Sequence, residues 1–257
     1  MVNESTAQDI TASDELKEFC QVIAEDIAML AVLHETEPTP ELLEALGETA
    51  FPAGLGLKLL EDDGIKAIDL MKRAMHLIPE KMEDAFIDDL AADYANIYLN
   101  YGISASPEES VWLDEENLAC QDSMFQVRNW YEQYGLMAKN WRVIPDDHLV
   151  LQLQFLVHLF KTQASMEGLK SITRFMDEHL LRWLLSFAER VAARCDTAYF
   201  AGVAMLTASY CEELRDLLAK FLDIPRPSSE EIEQRLYPVT EPEPVPVKFM
   251  PGIGPAV

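Results

Sequence analysis

Five histidines (His34, His76, His148, His158 and His179) and four cysteines (Cys20, Cys120, Cys195 and Cys211) are the side chains best suited to metal, acid–base or nucleophilic chemistry. Their spacing organises almost none of it. No His stands at metal-ligand spacing from another His or a Cys. No Glu precedes a His by three residues, the pattern used by di-metal helical bundles. GxGxxG, GxxxxGK[S/T], HExxH, GxSxG and CxxC are all absent from the sequence. One local constellation remains, Pro145-Asp146-Asp147-His148-Leu149. A proline ends a loop, and two acids stand where a helix begins and a carboxylate can accept first-turn amides. Asp147 beside His148 has the residue types of a general base and its orienting acid, but no Ser or Cys announces itself as nucleophile. The same pattern describes a well-capped helix with a surface His. The reading is a protein without catalytic residues, metal or cofactor.

The elements that would position this loop are helices. Apolar residues at Leu16, Phe19, Val22, Ile23, Ile27, Leu30 and Leu33 form a helical stripe over 14–34, with Ser13 as N-cap and Pro38/Pro40 as its stop. A short helix begins at Glu41, and a third spans Ile65–Leu77. The spacing predicts one long helix from Lys81 to Tyr101, then a loop over 102–110 containing Pro107. Asp114 is the expected cap of a helix running to Tyr134 and ending at Gly135. Asn140–Pro145 is a second loop, after which Asp146 or Asp147 should cap a helix to about Thr162, although LVLQLQF inside it alternates like a strand. Two further helices are expected over 171–195 and 197–222, and the scattered cysteines should be reduced and buried within helices. Residues 225–257 contain eight of the fourteen prolines and read as an extended tail. Its apolar residues and Lys248 suggest docking of 240–257 in a groove with an acidic rim.

Composition bounds the partners. The chain is 49% hydrophobic, enough for a sizeable core, and carries a net charge of −25. So acidic a protein suits neither nucleic acid nor an anionic membrane surface and would attract a basic partner. No stretch approaches the length of a membrane span, and the polar, acidic N-terminus does not read as a signal peptide.

DYANIYLNYGISASPEESVWLDEEN, residues 93–117, has an aromatic-rich helix end, a Pro-containing loop, and a Ser followed two positions later by an aromatic: Tyr94, Tyr98, Pro107, Ser110 and Trp112. Together with Ile144-Pro145-Asp146-Asp147-His148-Leu149, this resembles the TorD/DmsD family of redox-enzyme maturation chaperones, whose second loop reads E-P-x-D-H-hydrophobic. SVWLDEEN followed by DSMFQVRNW is most similar to the dimethyl sulfoxide reductase branch. Residues 27–46 resemble the family's first two helices and residues 179–214 its last two, so the likeness covers about residues 15–222. The chain departs from the family at Ile144, usually Glu, at Glu108, an aromatic in the nearest branch, and in its Pro-rich tail.

The resemblance implies a single all-α domain of about ten helices over residues 1–222, with a Pro-rich extended tail at 223–257. It implies a cytoplasmic chaperone that binds the twin-arginine signal peptide of a molybdopterin oxidoreductase and holds it until cofactor insertion is complete, before Tat export. Tyr94, Tyr98, Pro107, Ser110, Trp112, Pro145, Asp147 and His148 would line the site, so the two loops should meet. The partners implied are the leader, the catalytic subunit and Tat translocase components. An apolar groove suits the leader's hydrophobic segment, and surrounding carboxylates suit its arginines. An assembly chaperone for a nitrate, formate or tetrathionate enzyme is the alternative within the family. A helical hydrolase or nucleotide enzyme using Asp147 and His148 is the alternative outside it. Monomer and homodimer are both open, since helices could exchange through the 102–110 or 139–146 loop.

Overall fold

The apolar stripes become packed helices. A computed structural model of the chain describes residues 4–238, with side chains from residue 14 onward. Its helices are α1 (Glu4–Glu35), α2 (Pro40–Glu48), α3 (Asp62–His76), α4 (Asp84–Tyr94), α5 (Glu109–Leu113), α6 (Asp122–Gln133), α7 (Leu149–Thr162), α8 (Met166–Glu178), α9 (Leu184–Arg194), α10 (Ala198–Leu222) and α11 (Ser229–Leu236). A π-helical turn (Ala95–Leu99) extends α4, and a 3-10 turn (Leu180–Arg182) separates α8 from α9. Among the described residues no helix is long and apolar enough to cross a membrane.

In α1, Cys20, Ile23, Ala24, Ile27, Leu30, Ala31 and His34 recur every three or four residues and are all buried. This stripe packs on α7, whose Leu149, Leu153, Leu156 and Phe160 are equally buried. The second axis is α10, buried along most of its length and packed against α3, α8 and α9. Each fully buried Leu or Phe contributes about 1.5–3 kcal/mol of transfer free energy.

Loops are held to this core by carboxylates from remote helices. Asp93 on α4 accepts the amides of Asp196 (3.0 Å) and Thr197 (2.7 Å), which open α10. Glu213 accepts those of Leu60 (2.7 Å) and Glu61 (3.2 Å), ahead of α3. Asp26 accepts Gly56 and Leu57 amides, both at 2.9 Å, and the Tyr210 hydroxyl at 2.8 Å. Gly56 is required there, because a Cβ would lie 2.0 Å from Val22 Cγ1. Part of the acidic excess therefore has structural work beyond solubility. Arg215, with no exposed surface, closes two hydrogen bonds of 2.8 Å on the Asp177 carboxylate and donates to the Ile224 and Pro225 carbonyls.

The structure corrects several local expectations. α1 starts at Glu4 rather than after Ser13, since nothing between them breaks a helix. The long helix to Tyr101 gives way to the π turn after Tyr94, and Tyr101 lies outside it with φ 51°. Asp114 ends α5 instead of opening the next helix, because its carboxylate accepts the amides of Glu116 (2.9 Å) and Leu118 (3.0 Å). The helix expected over 171–195 is broken at His179, which has φ −128° and ψ −82°. Cys20 and Cys211 are buried in helices, but Cys195 ends α9 partly exposed, and Cys120 sits exposed in a loop with φ 59°.

From Pro227 the chain forms a separate unit. Its α11 is a helix within the segment expected to be extended. Ser228 Oγ accepts the Glu231 amide while the Glu231 carboxylate accepts the Ser228 amide, a complete capping box. The expected docking of residues 240–257 lies outside the described residues.

Candidate functional site

The Pro107 loop and the Pro145 loop meet as backbone. Glu108 and His148 form an isolated antiparallel bridge. The Glu109 amide donates to the Asp147 carbonyl (3.2 Å) and the Leu149 amide to the Pro107 carbonyl (2.8 Å). Pro107 directly precedes the extended Glu108, from which α5 departs at Glu109, and Pro145 opens the turn to the extended His148, from which α7 departs at Leu149. Both helix N-termini therefore open from one joint.

The caps are exchanged relative to the sequence expectation. His148, not an aspartate, caps α7, with Nδ1 accepting the Val150 amide at 3.2 Å. That bond puts the neutral ring's proton on Nε2. Asp147 instead caps α5 across the joint, its Oδ2 accepting the Ser110 amide at 2.8 Å. Asp146 is held by the Arg128 guanidinium from α6 (2.8 and 3.1 Å), and its carbonyl accepts the Tyr131 hydroxyl at 2.8 Å. Beneath the joint, the Glu109 carboxylate meets His179 Nδ1 (3.0 Å) and accepts from Gln152 Nε2 (2.7 Å), which also reaches the Asp147 carbonyl (3.0 Å). Glu109, Asp147, Gln152 and His179 have no exposed surface. The break between α8 and α9 thus sets His179 against Glu109. Glu108 accepts the Tyr101 hydroxyl at 2.8 Å, and burial raises its carboxyl above the usual range. Burial also lifts Asp147 to about 6 and lowers His148 to about 4.

The aromatics divide into support and surface. Tyr98 is buried, and its hydroxyl lies 2.6 Å from His34 Nδ1. Thr207 Oγ1 gives its proton to the Val203 carbonyl (2.9 Å), so it accepts from His34 Nε2–H (2.9 Å), and the bare Nδ1 accepts from Tyr98. Burial lowers His34 to about 3, with a smaller contribution from His148. Tyr98 therefore supports the site from behind. Tyr94 stacks on it at 5.0 Å, remains partly exposed, and donates to the Glu35 carbonyl at 2.8 Å. Phe187 links this group to Trp112, its ring 6.4 Å from His34 and 6.5 Å from Trp112. Trp112 is partly exposed, its indole N–H donates to the Ser106 carbonyl (2.8 Å), and the Arg190 guanidinium lies over its ring at 4.4 Å.

Of the eight residues singled out from sequence, Pro107, Ser110, Pro145, Asp147 and His148 form the joint, with Trp112 on the helix leaving it. Tyr94 and Tyr98 sit one aromatic layer away. Of these eight, Tyr94, Trp112 and His148 retain accessible surface. The sequence reading missed Glu109, Gln152, His179, Arg128 and His34. The only sequence signal for Gln152 was a polar residue interrupting an apolar helix, and the others gave none.

The acid linkage has a defined sign. His34 and His148 are held neutral well below their ordinary 6.5, so their stabilisation is complete above that pH and is lost as pH falls towards about 3 and 4. Asp147 acts oppositely, since its raised value favours the folded state as pH falls from 6 towards 3.8. Two histidines outweigh one carboxyl, so these groups together cost about 1 kcal/mol per pH unit between 6 and 4. The urea midpoint should be lower at pH 5 than at pH 7, and replacing His34 by Gln should flatten the difference.

An all-helical body that uses buried carboxylates to join two loops, and leaves a Trp and a His at their edge, has the make-up of a protein that holds other chains. Residues 60–189, just over half of the chain and containing both loops, match the family model described as nitrate reductase delta subunit. The chain belongs to this family, that of the TorD/DmsD redox-enzyme maturation chaperones, and is a chaperone of molybdoenzyme maturation rather than an enzyme. It is 25% identical over 209 residues to "Chaperone protein TorD" of Vibrio vulnificus, covering 77% of this chain and 94% of that protein. It is 27% identical over 166 residues to the protein of the same name in Vibrio cholerae, covering 60% and 74% respectively. The corresponding figures for that of Actinobacillus pleuropneumoniae are 28% over 127 residues, 49% and 61%.

Proposed function

We propose that this chain binds, in the cytoplasm, the twin-arginine signal peptide of a molybdopterin oxidoreductase of the dimethyl sulfoxide reductase type. It holds the peptide at the joined loops until cofactor insertion is complete, and then releases it for Tat export. The observation that carries this reading is the backbone pairing of the two loops, because it sets Trp112 and His148 at one edge. Three features support it further. The Trp112 face already takes a guanidinium, that of Arg190, and a leader arginine offers the same chemistry. Glu115 and Glu116 are exposed, and Asp114 partly so, immediately after the α5 that carries Trp112. A net charge of −25 draws a basic peptide towards the surface.

Fluorescence anisotropy with a labelled twin-arginine leader peptide tests the assignment. Trp112→Ala should weaken binding about thirtyfold, the effect of losing a central aromatic anchor worth ~2 kcal/mol, with the helical circular dichroism unchanged. His148→Ala should weaken it by a smaller factor. Unchanged affinity in both variants would refute the site. Affinity for the wild-type chain should also fall between 0.1 and 1 M salt, as the Debye length contracts from ~10 to ~3 Å. A flat titration would mean that the leader's apolar segment alone drives binding.

A further inference from the structure

The surface beside the second loop has the opposite character to the rest of the chain. Residues 133–145, QYGLMAKNWRVIP, contain Lys139 and Arg142 and no Asp or Glu, although the chain has 45 acidic residues against 20 basic ones. The segment is also strongly apolar on its outside: Met137 is 86% exposed and Val143 71%, and Trp141 and Ile144 are exposed as well. Single exposed apolar residues are ordinary, whereas a contiguous group marks a binding surface.

Its geometry is that of a cationic aromatic platform next to an apolar hollow. The Trp141 ring meets two guanidiniums, Arg128 at 4.9 Å and Arg142 at 5.4 Å, and Arg128 also covers the exposed Phe125 at 5.3 Å. Arg128 is already neutralised by buried Asp146. Lys139 and Arg142 are in no ion pair among the described residues. Beside them a hollow of about 230 Å³ is lined by Tyr131, Leu136, Met137, Leu151 and Phe155, with Gln154 and His158 as its polar lining. Asp122 and Glu132 are the exposed carboxylates of the neighbouring α6.

We propose that this surface binds an acidic peptide segment carrying a bulky apolar side chain, supplied by the client enzyme outside its arginine leader. The apolar side chain enters the hollow, and flanking carboxylates meet Lys139 and Arg142. The twin arginines themselves are repelled here, so the chain holds two parts of one client through surfaces of opposite charge. This rests on the client-binding reading above, but it concerns different residues.

The test uses the intact chain and two labelled probes: a twelve-residue peptide of alternating Glu with Leu and Phe, and the same peptide with Lys for Glu. The wild type should bind the acidic probe, and the Lys139→Glu/Arg142→Glu variant should bind it about tenfold more weakly, the scale of two reversed rim charges. Met137→Glu should weaken it independently by blocking the hollow. The leader peptide should bind wild type and the double variant alike. An acidic-probe affinity unmoved by both variants overturns the proposal. So does a change in the chain's own sedimentation mass in the double variant, which would assign the surface to a second copy. Loss of leader binding by the wild type would instead overturn the leader site and leave this result standing.

Discussion

Replacing Arg215 by Ala should lower the melting temperature by about 10 °C. The guanidinium closes both nitrogens on Asp177 at 2.8 Å, and neither side chain has appreciable contact with solvent. It also donates to the Ile224 and Pro225 carbonyls at 3.3 Å, so it fixes the turn that follows α10. Removing one member of a buried pair leaves the other charge desolvated, which costs about 3–5 kcal/mol. In a chain of this length each kcal/mol moves the transition by roughly 2–4 °C. The Arg215→Met/Asp177→Leu double variant removes both charges and should recover most of the loss. A double variant no more stable than Arg215→Ala would mean that the pair is not the source of the effect. Differential scanning calorimetry of the three proteins measures this directly.

The second large effect is expected at Asp147, and it joins stability to binding. Asp147→Ala leaves the Ser110 amide without its acceptor at a position with no exposed surface, a loss of about 2 kcal/mol. It also removes the direct side-chain tie between the two loops, leaving their backbone pairing and the Gln152 contacts. Leader affinity should therefore fall about tenfold, although Asp147 itself is buried away from any peptide. Asp147→Asn retains a carbonyl oxygen for the Ser110 amide and should cost far less on both measurements. If Asn proved as damaging as Ala, the carboxylate charge rather than the hydrogen bond would be the operative feature. Amide hydrogen exchange at Ser110 and Leu149 distinguishes a loosened joint from general destabilisation, because only the joint exposes both amides.

The helical class and most of the core were legible because they depend on local periodicity. An apolar residue every three or four positions in α1, α3 and α10 leaves few alternatives to a packed helix. Gly135, with φ 69°, terminates α6 as its residue type predicts. Helix ends governed by distant partners were not legible. Asp147 has the local credentials of a cap for α7 yet caps α5, because the bridge from Glu108 to His148 brings the Ser110 amide within 2.8 Å of it. The break at His179 carries no Gly or Pro signal, and what the bend accompanies is a buried contact with Glu109, seventy residues earlier.

The candidate site divides along the same line. Pro107, Ser110, Trp112, Pro145, Asp147 and His148 stood out because their types and spacing form two short motifs. Their pairing was an expectation from the aromatics, Pro and polar pair that both loops carry between core-like helices, and the backbone hydrogen bonds of the folded chain establish it. Tyr98 was indistinguishable from Tyr94 on the same helical face until packing buried one against His34 and left the other at the surface. Glu109, Gln152 and His179 read as ordinary polar residues in three separate segments. Sequence alone determined the helical class, most of the core stripes and the two motif loops, since these follow from side-chain periodicity and backbone chemistry. Only the tertiary structure decided which carboxylate meets which donor, because desolvation makes each buried polar group find a partner wherever the fold supplies one.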